Sequence, residues 1–265
     1  MATGEKATAG SYATTTVTFS ATSYKGAISL ALKPGVPTMT VSGTAYEDET
    51  GTVWSGCDGA TNRVSLRIGG VTYGPVSCPS ETGALTFSGV TQPGAGTAMT
   101  LWFDNVAANF GSRVNRYSGT GNVAGFNVRR NRVIVMHDDT GPITNTDLDN
   151  WDNGDDADIN FVVTASNLTV EDGSKLIVNI DDTFTPGGAV TTDPSASASS
   201  LDGDLLISTG ATLSMGVNAL FVGGDYDNQG TFLKSAGQTT TFTATAPGHV
   251  IVPGAGNFEN VTFGQ

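Results

Sequence analysis

Between Asp138 and Asp182 the chain carries twelve carboxylates and a single lysine, Lys175. The densest part holds Asp147, Asp149, Asp152, Asp155, Asp156 and Asp158, with Asn150, Asn153 and Gly154 between them. Calcium takes roughly six to eight oxygens from carboxylates, carbonyls and water, and a glycine-bent Asp/Asn loop can wrap them around one ion. The EF-hand spacing does not fit. With Gly154 at the sixth position of that loop, Trp151 falls on the third and no glutamate closes it. The expectation is a candidate Ca2+ loop within residues 138–158, set against a solvated acidic loop whose aspartates serve as turn formers.

An acidic calcium site can also serve a polysaccharide lyase, which needs an Arg or Lys beside the ion to stabilise an enolate. Here the candidates are Lys175 and the upstream Arg129, Arg130 and Arg132. His137 next to Asp138 has the form of a dyad, although a lone histidine at a strand end is more often structural. His249 has no carboxylate beside it in sequence. There is no G-x-S-x-G elbow, no zinc-type His/Cys spacing and no phosphate-cradling glycine loop. Catalysis is therefore not expected. Trp54, Trp102 and Trp151 could stack on sugar rings, but core or seam packing is the simpler reading. Trp102 alternates with Leu101 and Phe103, so it faces away from them.

Cys57 and Cys78 lie in one β-rich region. A bridge between them would close a loop worth roughly 3 kcal/mol of chain entropy. A disulfide is expected, against the alternative of two buried thiols.

The elements that must position these residues read as strands throughout. Between Leu205 and Phe232, short apolar alternations (Leu205 and Ile207, Leu213 and Met215, Leu220 and Val222) are separated by Gly210, Gly216, Gly223 and Gly230. That is the period of strands, in runs too short for a helix. The pattern also repeats: Leu168, Val170, Gly173, Leu176 and Val178 align with Leu205, Ile207, Gly210, Leu213 and Met215. Repeats of this kind predict a parallel β-helix, or β-solenoid, over residues 127–265. Residues 38–126 instead show strands at sandwich-like spacing with hairpin signals such as Gly69-Gly70. Residues 1–37 hold two further alternations, Val17, Phe19 and Ala21, then Ile28, Leu30 and Leu32. Placing Phe19 on Phe242 puts Ala21 on Ala244 and Thr22 on Thr245, so the two ends echo one another. This makes 1–37 a candidate assembly strand, between subunits or continuing a preceding coil.

The segments TVSGTAYEDETGTVWSG, RVSLRIGGVTYGPV, ETGALTFSGV and AMTLWFDN resemble the carboxypeptidase-regulatory-like, prealbumin-type sandwich. The following glycine-punctuated strands are similar to the β-solenoids that accompany it in repeat-rich bacterial surface and adhesin-type proteins. The resemblance implies an antiparallel sandwich acting as a spacer or presentation module, without catalytic residues. The Cys57/Cys78 pair departs from that pattern, so the resemblance does not imply the bridge.

Lys and Arg total 12 against 25 acidic residues, for a net charge of −13. Such a surface repels nucleic acid and anionic lipid, so neither partner is expected. No apolar run is long enough to insert as a membrane helix. The opening MATGEKATAG lacks the apolar segment of a signal peptide, so an extracellular chain would have had its peptide removed. Three functions are expected, in order. The first is a structural subunit of a surface layer, stalk or filament, self-assembled through strand edges. The second is an adhesin binding surface polysaccharide. The third is a calcium-dependent lyase.

Overall fold

The computed structural model describes residues 35–264 except 57–62, 106–109, 151, 153–155, 172 and 195–199. The chain divides into two units, Met1–Pro37 and Thr38–Gln265. The candidate assembly residues Val17, Phe19, Ala21, Ile28 and Leu30 lie outside the described residues. Of the first unit, residues 35–37 are described; they are exposed and without regular structure.

The second unit is all-β apart from one short helix. It begins with β1 (Thr38–Tyr46), β2 (Arg63–Ile68), β3 (Val71–Ser77), β4 (Ala84–Thr91), β5 (Ala98–Asp104), β6 (Ser112–Arg116), β7 (Val128–Arg129) and β8 (Arg132–His137). The helix α1 (Asn145–Asp149) follows, then β9 (Phe161–Thr164), β10 (Asn167–Val170), β11 (Lys175–Val178), β12 (Thr183–Phe184) and β13 (Val190–Thr192). The chain continues through β14 (Leu205–Ile207), β15 (Thr212–Gly216), β16 (Leu220–Val222), β17 (Tyr226–Asn228), β18 (Thr231–Lys234), β19 (Thr239–Phe242), β20 (Ile251–Val252) and β21 (Asn260–Phe263).

Two regimes of pairing follow from the two kinds of sequence. Up to β6 the strands pair mostly antiparallel: β1 with β4, β2 with β3 and β5, and β5 with β6. Beyond β6 parallel pairing takes over, with β9–β10 as the antiparallel exception. The change occurs inside one nine-stranded sheet, where β6 meets β8 in parallel register, Val114 beside Val135. Two other ladders are parallel as well: β10, β13, β16, β19 and β21, and separately β12, β15 and β18. Strands of one parallel ladder lie about 4.8 Å apart, so residues in register stack into columns. One apolar column runs Val133, Leu176, Leu205, Tyr226, Ile251; another joins Phe184, Leu213 and Phe232.

These columns correct the repeat alignment expected from sequence. Leu205 stacks on Leu176, not on Leu168, and Leu213 stacks on Phe184, not on Leu176. The physical reason is that β10 and β11 are successive strands with the same Leu-x-Val pattern but belong to different sheets. Pattern matching therefore slipped by one face of the stack. The period-two signal was correct and the register was not.

Two hydrophobic cores result, one on each side of the shared sheet. The first gathers Val41, Leu85 and Phe87 from β1 and β4 with Leu66, Leu101 and Phe103 from β2 and β5. The second gathers the parallel columns, together with Trp102 and Val114. Alternation along β5 thus sends Leu101 and Phe103 one way and Trp102 the other. Successive parallel strands and their turns sit close enough that some turns exclude a side chain. At Gly230, between β17 and β18, a Cβ would lie 2.3 Å from the Ala211 carbonyl oxygen and 2.5 Å from that of Ser208.

Candidate functional site

The acidic run is placed as separate structural ties. Asp147 belongs to a capping box on α1: the Thr144 N–H and hydroxyl donate to Asp147 Oδ2 at 2.9 and 2.8 Å, and Thr144 Oγ1 accepts from the Asp147 N–H. This removes orphan donors from the first helical turn. Asp149 is exposed at the end of that helix, and Asp152 is buried. Asp156 Oδ1 accepts from the Asp158 N–H, and Asp158 Oδ2 accepts from Asn105 N–H at 2.9 Å. Asp155 lies outside the described residues. Among the described residues, these carboxylates do not converge as a group of three ligating atoms.

The cations expected to serve a lyase site are engaged elsewhere. Arg130 pairs with Glu47, Arg132 with Glu49, and Arg129 Nε donates to the Asp48 carbonyl. Lys175 Nζ lies 3.5 Å from Glu49. All four therefore face the loop after β1. For Glu49, burial would raise the carboxyl, but the Arg132 hydrogen bond and the Arg132 and Lys175 charges outweigh it, and the net shift is downward. Arg116 approaches the acidic run: its Nε donates to Asp139 at 3.1 Å and its guanidinium lies 3.7 Å from Asp147.

Both ring nitrogens of His137 meet backbone groups. Its Nδ1 lies 3.0 Å from the Asp139 carbonyl and its Nε2 accepts from the Thr183 N–H at 2.9 Å. The first contact requires a donor and the second an acceptor, so both are satisfied by the neutral ring protonated at Nδ1. The carboxylates near it are Asp139 and Asp182.

A group that sequence reading missed lies farther along the stack. In the long parallel ladder, the residues immediately before Val133, Leu176, Leu205, Tyr226 and Ile251 form a column of their own: Arg132, Lys175, Asp204, Asp225 and Val250, with His249 adjoining. Asp204 Oδ1 accepts from the Asp225 N–H at 2.7 Å, and Asp225 Oδ1 accepts from the Val250 N–H at 2.9 Å. Each carboxylate thus ties its own coil to the next. His249 Nδ1 lies 2.9 Å from Asp225 Oδ1. The remark that His249 has no carboxylate nearby holds along the chain and fails in space. Burial pushes the Asp204 carboxyl upward, and the Asp225 charge adds to that, against the Asp225 N–H, Lys175 and His249. Asp204, Asp225 and His249 each offer one ligating atom, all within 4.8 Å of one another. The only sequence signal was the acid that ends each Gly/Asp turn before an apolar strand.

The tryptophans take packing roles. Trp54 is buried edge-on to Phe103, with ring centroids 4.6 Å apart, and Trp102 is buried in the second core. Trp151 lies outside the described residues. No protein-family profile matches this chain, and no curated protein or solved structure is detectably similar to it.

Proposed function

We propose that the chain is a structural extracellular protein, a subunit or segment of a surface layer, stalk or filament. In this reading residues 38–126 are a β-sandwich, residues 127–265 are a β-helix, and copies join through strand edges. The repeated parallel registers and the two cores on either side of one sheet support that architecture. The observation that carries the assembly is the far end of the stack. There, among the described residues, β18, β20 and β21 are the outermost strands of their three sheets, and Leu233, Val250, Val252, Val261 and Phe263 on or beside them are exposed. An unpaired strand edge with apolar side chains is a template for another strand.

The occupant proposed is the Val17–Leu32 segment of a second copy. Its apolar alternation repeats that of the last coil, with Phe19 matching Phe242 and Ala21 matching Ala244. A Cys57–Cys78 bridge belongs to the same proposal, since an exterior location permits it. Cys78 is fully buried in the first core, while Cys57 lies outside the described residues.

Sedimentation velocity across a concentration series tests the assembly. Polymers are expected for the intact chain and monomers for the Leu233→Lys, Val261→Lys double variant, whose altered positions are exposed and belong to neither core. A wild-type chain that stays monomeric at high concentration would overturn the reading. So would polymers that persist in the double variant.

A further inference from the structure

Stacking parallel coils places side chains of like position next to one another whether or not they attract. In the column before the long ladder this sets two carboxylates, Asp204 and Asp225, on neighbouring coils. Like charges at that spacing repel unless something positive lies between them. Lys175, one coil below, is 3.5 Å from Glu49, so its charge is shared.

The geometry points to a divalent transition-metal site held by the carboxylates of Asp204 and Asp225 and the imidazole of His249. Three observations support it. First, both carboxylates are oriented by a backbone N–H on one oxygen, Oδ1, leaving Oδ2 of each to turn toward a ligand. Anchoring of this kind is what holds metal-binding carboxylates in place. Second, the His249 side chain is only 8% exposed and its Nδ1 lies 2.9 Å from Asp225 Oδ1, so the ring is held against the carboxylates with the nitrogen that a metal between them would use. Third, the ligating atoms lie within 4.8 Å of one another. Ligands about 2.0–2.2 Å from one metal lie within about 4.4 Å, so the closure required is small. His249 also lines a concavity with Gly224, Phe242, Gly248, Ile251 and Phe263, and the Asp225 side chain is 36% exposed, so an ion can enter from solvent.

The donor set selects the class of ion. Imidazole with two carboxylates suits zinc and its neighbours in the transition series, whereas calcium takes oxygen alone. This site is separate from the acidic run at 138–158, and it requires no polymer. Bound there, the ion would join three successive coils.

The test uses the full chain without a polyhistidine tag, stripped of metal and titrated with Zn2+, Co2+ or Ca2+. One equivalent of Zn2+ is expected to raise Tm, and Co2+ to give a visible absorption band of a low-coordinate, nitrogen-containing site. His249→Gln and Asp204→Asn are each expected to weaken Zn2+ binding about 10–100-fold relative to the wild-type chain. No Tm response of the wild-type chain to Zn2+, or a response in both variants as large as that of the wild type, overturns the proposal. A response to Ca2+ alone also overturns it, and would move the ion to the 138–158 loop.

Discussion

At the scale of single residues, position in the stack decides what a side chain does. Glu49 is held by Arg132 and Lys175, and its carboxyl is shifted down from the ordinary value of 4.5. A group whose folded pKa is depressed stabilises above the unfolded value and loses that contribution as pH falls through the folded one. Thermal stability is therefore expected to decline as pH drops below about 4.5, and Glu49→Gln to remove part of that decline. Melting curves of the two proteins between pH 3 and 6 check this. Glycines divide the same way. Gly230→Ala forces a methyl against two backbone carbonyls and is expected to cost about 3 kcal/mol. Gly237→Ala meets no neighbour but sits at φ +91°, and is expected to cost about 1 kcal/mol. Urea titrations that ranked them in the opposite order would contradict the close stacking of coils.

At the scale of elements, the sequence disclosed strands and withheld their partners. The alternation of Leu205 and Ile207, or Leu213 and Met215, predicts a buried face, and both pairs are buried. It does not say which earlier strand lies beneath, because β10 and β11 share one pattern and stack in different sheets. The same limit hid the Asp225–His249 contact, which exists only once β17 and β20 are in register. Helix α1 was missed because its apolar content is a single buried residue, Leu148, and its signature is the Thr144–Asp147 box within a run read as loop. Trp102 was correctly placed facing away from Leu101 and Phe103, since alternation along one strand needs no partner. Leu205→Ala is expected to cost about 2–5 kcal/mol, and Leu233→Ala, on the exposed face of β18, less than about 0.5 kcal/mol. Chemical denaturation separates the two.

At the scale of the whole molecule, the nine-stranded sheet serves both cores, so neither can lose it alone. Residues 38–265 are expected to unfold in one transition, with Trp54 reporting the first core and Trp102 the second. Two separated fluorescence transitions in single-tryptophan variants would show the cores to be independent. The net charge of −13 opposes association of copies. The proposed assembly would then rest on strand pairing and apolar contact at the end of the stack, and is expected to increase between about 10 and 150 mM salt as the screening length falls from about 30 to 8 Å. Electron microscopy of the purified chain, with and without residues 1–37, tests the central claim most directly. The account predicts fibres or ordered sheets from the intact chain and dispersed particles from the truncated one. Dispersed particles from both, or fibres from both, would contradict it.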